Sequence, residues 1–140
     1  GEYDILIAGT EIISRKVLDN AKKLKLISRV GVGLDGVDLH YARAKGIKVT
    51  YTPDAPALAV AELSIGLMIN LLRNVHISNQ LMHNGKWKRL LGRRLSQISC
   101  GIIGAGRIGS LVIKKLNSLG NKAVLVNDIK QNKVLDKLKP

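Results

Sequence analysis

Short apolar runs alternate with helical patterns along most of this chain. Asp4 to Ala8 (D-I-L-I-A) reads as a short buried strand. Ser14 is placed to cap a helix running to about Leu24, with Val17, Leu18, Ala21 and Leu24 on one face. Leu26 to Val30 reads as a second strand, ending at the glycine pair Gly31 and Gly33. Asp38 caps a short helix through Lys45, and Gly46 stops it. Ile47 to Tyr51 is a third strand, closed by Thr52-Pro53. Strands that alternate with helices predict an α/β fold of parallel β/α units.

Pro53-Asp54-Ala55-Pro56 is the strongest internal break, because proline neither continues a ladder nor sits inside a helix. Beyond it the pattern predicts one long helix from about Ala57 to Asn84, ended by Gly85. Its apolar content is too broad for one exposed stripe, so it is expected to be buried against a domain and a partner chain. Leu91 to Gln97 is a basic connector. Ile98 to Ile103 is the next strand, Arg107 to Leu119 a helix with Gly120 as its stop, and Lys122 to Asn127 a further strand. Residues 131–138 resemble the start of another helix.

One junction carries chemistry. The strand ending in Ile102-Ile103 runs straight into Gly104-Ala105-Gly106-Arg107-Ile108-Gly109, the spacing G-x-G-x-x-G. Gly104 permits the tight turn, Gly106 lets the backbone approach a pyrophosphate, and Gly109 lets the helix pack closely on the sheet. The helix N-terminus then offers N–H groups and a positive dipole end to phosphates. Asp128 stands 19 residues beyond Gly109, at the end of the next strand, close to the expected ~20-residue spacing. Its carboxylate would accept from the ribose hydroxyls and repel a 2′-phosphate, favouring NAD over NADP, although Lys130 works against that preference. The plainer alternatives are a structural glycine turn and a strand-end aspartate capping the turn that follows it.

The charge of +13 opens polyanions, anionic surfaces and anionic metabolites as partners. The basic residues are scattered, Phe is absent, and no base-stacking platform is evident, so no specific nucleic-acid partner is expected. Lys86 to Arg94 is the one dense cluster. The apolar stretch Ala55 to Ile69 is interrupted by Glu62, Ser64 and Gly66, and no membrane span is expected. The single cysteine, Cys100, is expected in a buried strand, and a reducing, cytoplasmic compartment fits a chain without disulfides.

Several motifs together resemble the D-isomer-specific 2-hydroxyacid dehydrogenases. They are Ile27-Ser28-Arg29-Val30-Gly31-Val32-Gly33-Leu34-Asp35, Val37-Asp38-Leu39, Gly46-Ile47-Lys48-Val49-Thr50, Thr52-Pro53-Asp54-Ala55, Val60-Ala61-Glu62-Leu63, Gly85-Lys86-Trp87 and the glycine turn. Within the family the chain resembles the D-3-phosphoglycerate dehydrogenase branch, which would imply a role in serine biosynthesis. The resemblance implies an NAD-dependent oxidoreductase acting on a small anionic 2-hydroxy or 2-keto acid. It implies part of a flavodoxin-like substrate domain over residues 1–53 and a hinge at 54–56. The first half of a Rossmann NAD-binding domain, with a long dimerisation helix, would follow over 57–140.

The resemblance also assigns roles. Gly31, Val32 and Gly33 would present backbone N–H groups to the substrate carboxylate, with Arg29 alongside. Val32 and Val60 would lie near the nicotinamide. Gly104, Gly106, Arg107, Ile108, Gly109 and Asp128 would hold the rest of the cofactor. The long helix and the arm carrying Trp87 would form a homodimer interface, with Trp87 either an anchor there or part of a core. Glu62 would hydrogen-bond the cleft loop.

The same resemblance implies that the catalytic Arg, Glu and His match positions beyond residue 140, and that the first strand of the substrate domain would precede residue 1. No catalytic residue is therefore expected here; His40, His76 and His83 read as surface or packing residues, and no metal ligands are expected. The 140-residue chain alone is expected to be inactive and to bind NAD poorly. Ala8 stands where many relatives carry a phosphate-binding arginine, and Gln97-Ile98 replaces a usual Gly-Lys, which would strain a turn needing positive φ. The alternative is a truncated, non-catalytic paralogue serving as an NAD-binding or dimerising interaction module, with Lys86 to Arg94 as a contact surface.

Overall fold

The computed structural model describes residues 2–129. Lys130 and the helix expected at 131–138 lie outside the described residues. The chain divides into two units, Gly1–Pro56 and Ala57–Pro140.

The first unit is a parallel three-stranded sheet of order β1-β2-β3, with β1 Ile5–Ala8, β2 Leu26–Arg29 and β3 Lys48–Tyr51. Helix α1 (Arg15–Asn20) links the first pair of strands and α2 (Leu39–Ala44) the second. Because the strand order never reverses, both crossovers fall on the same face of the sheet. There Leu18 and Ala42 pack with Ala8, Ile27 and Ile47. The pleat turns Ile5 and Ile7 to the opposite face, where they are 58% and 74% exposed. The first strand is therefore buried on one side only, not throughout as its apolar run suggests.

Helix α1 is shorter than its periodicity predicts. Ala21 N–H closes back on the Leu18 carbonyl, and the Asn20 side chain takes the Lys16 carbonyl. The chain must turn here because the N–H groups of Lys25 and Leu26 both reach Asp4 O to open the ladder. Ser14 has cap-like extended dihedrals, yet its side chain makes no capping bond. Asp38 does cap α2, accepting from Tyr41 N at 2.9 Å, and Gly46 ends it at φ +71°.

The second unit pairs β4 (Ser99–Ile103) with β5 (Ala123–Asn127) in parallel, joined by α5 (Arg107–Ser118). The segment expected as one helix is two, α3 (Ala57–Arg73) and α4 (Val75–His83), bent by 67°. The break is at Asn74, in the left-handed region (φ 53°, ψ 34°) that asparagine tolerates better than most residues. The returning chain holds it there: Arg93 N–H takes the Leu72 carbonyl and Asn74 Nδ2 donates to Leu91 O. Gly92 fits this crossing because a β-carbon would lie 2.6 Å from Leu72 O.

Gly85 and Gly120 end α4 and α5 with the same paired bonds, Lys86 N to Leu81 O with Gly85 N to Met82 O, and Asn121 N to Leu116 O with Gly120 N to Asn117 O. Ala61 and Ile65 of α3 pack with Val112 and Leu116 of α5 and with Cys100, which is buried as expected. No single helix among the described residues is long and apolar enough to cross a membrane.

Candidate functional site

The glycine turn leaves β4 and enters α5 through three differently used glycines. Gly104 has φ +91°, a conformation that favours glycine, and its N–H donates to Asn127 O at 2.7 Å. At Gly109 a β-carbon would lie only 2.0 Å from Gly104 O, so this glycine is what lets the helix start against the turn. A β-carbon on Gly106 would meet nothing within 4 Å, and its φ is an ordinary −69°. Gly106 is therefore not required by packing. The space above it is where a ligand can approach the backbone.

Around this turn Asp128 Oδ2 accepts from Ala105 N at 2.6 Å, and Ser110 Oγ donates to Ala105 O at 2.7 Å. Ala105 itself is fully buried. Asp128 thus holds the glycine turn that precedes α5 while standing at the end of β5 beside it. Ser110 was not singled out by motif reasoning; a hydroxyl in the first turn of the helix, just past the glycines, was its only signal. Arg107 and Ile108 form the first residues of α5, where N-terminal N–H groups collect. The residues present fit a dinucleotide: an open glycine, a helix start whose N-cap offers no side chain, and a carboxylate at the next strand end.

The second group lies at the carboxyl ends of the first unit's strands, the usual ligand edge of a parallel sheet. Gly31, at φ +143°, donates its N–H to Thr52 Oγ1 at 2.8 Å, and Thr52 N–H donates to Gly31 O at 3.0 Å. Thr52 therefore pins the loop. This alters the expected roles: the Gly31 N–H is already engaged, while those of Val32 and Gly33 have no partner among the described residues. Arg29 folds over the same loop, its Nη1 donating to Val30 O at 2.5 Å. Arg29, Gly31, Val32 and Gly33 are thus brought together, with Val32 42% exposed. Ala8 is buried at the end of β1.

Other expectations resolve individually. Val60 is on the first turns of α3, partly exposed. Glu62 pairs with Lys115 at 3.1 Å, tying α3 to α5. Trp87 is 79% exposed, so it is not a core residue of this unit. Gln97 carries no strain: Asn74 is the positive-φ non-glycine residue among those described, and Gln97 Oε1 accepts from Arg94 N. The three histidines are exposed; His76 pairs with Asn70 and His83 with the Asn79 carbonyl. Two surface hollows of about 350 and 400 Å³, one lined by Leu39, Arg43 and Gly46 to Val49 and the other by Lys16, Val17, Asn20 and Ala21, involve none of the candidate residues.

Known proteins resemble this chain in sequence and in fold. The sequence profile of "D-isomer specific 2-hydroxyacid dehydrogenase, catalytic domain" matches residues 1–134. A D-3-phosphoglycerate dehydrogenase of Methanocaldococcus jannaschii is 41% identical over 123 residues, covering 85% of this chain and 23% of that protein. A hydroxypyruvate reductase of Thermotoga maritima is 37% identical over 132 residues, covering 92% of this chain and 43% of the relative. Among solved structures, D-lactate dehydrogenase from Aquifex aeolicus, complexed with NAD and lactic acid, superposes with a TM-score of 0.84 at 28% identity. That match covers 98% of this chain and 42% of the other. The chain spans less than half the length of each of these proteins. With the glycine turn, the parallel β/α units and these matches together, the chain belongs to the D-isomer specific 2-hydroxyacid dehydrogenase family.

Proposed function

We propose that this chain contributes the cofactor turn and the substrate-carboxylate loop of an NAD-dependent dehydrogenase of D-2-hydroxy acids. The observation that carries the reading is the contrast within the glycine turn, where Gly109 is filled by packing and Gly106 faces open space. On this reading Gly104 to Gly109 cradle the pyrophosphate and Asp128 meets the ribose. Bound NAD supplies the hydride acceptor. Val32 and Gly33 N–H groups hold the substrate carboxylate, with the Arg29 guanidinium beside them adding positive charge. Residues 1–53 then belong to the substrate domain, 54–56 to a hinge and 57–140 to the cofactor domain, a reading supported by the division at Pro56.

The substrate we favour is 3-phosphoglycerate, supported by the relatives of that name. Relatives named hydroxypyruvate and glyoxylate reductase make small 2-keto acids the competing choice. Among the described residues His76 pairs with Asn70 and His83 with the Asn79 carbonyl, neither with a carboxylate, and on this reading the 140 residues alone are expected to turn over no hydroxy acid. The exposed Leu63, Leu67 and Leu71 of α3 support a homodimer.

Equilibrium titration of the full-length protein with NAD and NADP tests the reading. NAD binding that weakens when Asp128 is changed to Ala is the expected result. Failure to bind either dinucleotide, or a preference for NADP, would overturn it.

A further inference from the structure

From Leu63 to Asn127 the chain has 65 consecutive residues without an aspartate or glutamate, and ten lysines and arginines within them. The first unit shows the usual arrangement, with cations beside carboxylates: Lys25 with Asp4 at 2.8 Å and Lys45 with Asp19 at 2.7 Å. In residues 57–129 the two acids are Glu62 and Asp128. Glu62 is engaged by Lys115 and Asp128 by the glycine turn.

The cations are not spread evenly. The arm from Gly85 to Arg94 carries Lys86, Lys88, Arg89, Arg93 and Arg94, all exposed. It is fixed at both ends, by Lys86 N–H on Leu81 O and by Arg93 N–H on Leu72 O. At Gly92 it presses on the α3–α4 corner so closely that a β-carbon would lie 3.0 Å from Arg73 Cα and 3.1 Å from Arg73 Nε. Folding therefore brings the backbone at Gly92 and Arg93 back to the corner that carries Arg73, with Arg94 next in the chain. None of the three meets a carboxylate among the described residues. Holding like charges together opposes folding unless something neutralises them. Arginine clusters match phosphate oxygens in geometry and charge, with paired N–H donors that lysine lacks.

We propose that the corner formed by Arg73, Arg93 and Arg94, extended along the arm by Lys86, Lys88 and Arg89, binds a small oligophosphate anion. This site is separate from the glycine turn and does not depend on the dehydrogenase reading. It recognises charge and phosphate spacing.

The test is calorimetric titration of the full-length protein with tripolyphosphate at fixed ionic strength. Trp87, the chain's only tryptophan, provides a fluorescence signal from within the arm itself. The expected result is saturable binding that shifts Trp87 emission, persists at saturating NAD, and weakens at least about tenfold in Arg93→Gln/Arg94→Gln. Arg73→Gln, a single change on the other side of the corner, should weaken it too. Urea denaturation of each variant separates lost binding from lost folding. The proposal is overturned if tripolyphosphate binds no better than sulfate at equal ionic strength. It is also overturned if folded variants bind as the parent does, if NAD displaces the anion, or if only long nucleic acids bind. NAD binding without tripolyphosphate binding would sink this site and leave the dehydrogenase reading intact.

Discussion

Two glycines three residues apart should respond in opposite ways to the same added methyl group. In Gly109→Ala the new carbon would start 2.0 Å from the Gly104 carbonyl oxygen, whereas ordinary contact begins at 3.4 Å. The start of α5 must therefore move by about 1.4 Å, or the turn must open. The obstacle is backbone, and it is held by the Gly104 N–H bond to Asn127 O, so no side chain can swing aside. Overpacking of this kind costs about 1–3 kcal/mol, and the upper end applies. Replacing a helical glycine by alanine returns about 1 kcal/mol, leaving a net loss of about 2 kcal/mol. In Gly106→Ala the backbone already has φ −69° and the methyl enters open space, so stability should change by no more than about 0.5 kcal/mol. Dinucleotide affinity should nonetheless fall at least about tenfold, because the methyl occupies the ligand's path. Urea denaturation followed by circular dichroism, paired with NAD titration, measures both. Equal destabilisation by the two changes would refute the assignment of packing to Gly109, and undiminished NAD binding by Gly106→Ala would refute the assignment of the open space to the cofactor.

Asn74→Ala should destabilise the second unit by about 1–3 kcal/mol through left-handed strain, aggravated by loss of the bond to Leu91 O, while Asn74→Gly should cost much less; thermal unfolding ranks the two. Leu67→Glu, on the exposed face of α3, should shift sedimentation toward the monomer without unfolding the chain, and an unchanged mass would count against the proposed dimer face. The Asp19–Lys45 pair should show two pH limits. Hydrogen bonds from Lys45 and then Tyr41 lower the Asp19 pKa below 3.8, so its contribution is present above that value and is lost as pH falls through the folded-state pKa. The bond to Asp19 raises the Lys45 pKa above 10.5, so its contribution is present below that value and is lost as pH rises through the folded-state pKa. The difference in denaturation midpoint between the parent and Asp19→Asn should accordingly shrink at both extremes, and a difference constant with pH would contradict the pairing.

The parts of this structure that were legible in the sequence are those fixed by local chemistry. Asp38, Gly46, Gly85 and Gly120 announce helix ends because capping and left-handed φ depend on single residues. The glycine turn was legible because its three glycines and Asp128 answer to one fixed spacing. The rest depended on partners distant in the chain. Asn74 sits in a continuous helical pattern, and nothing local says that Arg93 and Leu91 will return to hold it. Thr52 looks like an ordinary strand-end residue until its hydroxyl is found on Gly31. Glu62 and Lys115 are 53 positions apart, and only the packing of α3 on α5 brings them to 3.1 Å.

The parallel pairings also set the chain's folding arithmetic. Ile5 pairs with Leu26, Leu26 with Lys48, and Ser99 with Ala123, closing loops of 21, 22 and 24 residues. Loop-closure entropy varies only with the logarithm of length, so these three closures differ by about 0.1 kcal/mol. Among the described residues β2, β3 and β5 each pair with the strand one β/α step before them. During synthesis, β2, β3 and β5 therefore each emerge after the strand they pair with is already outside the ribosome.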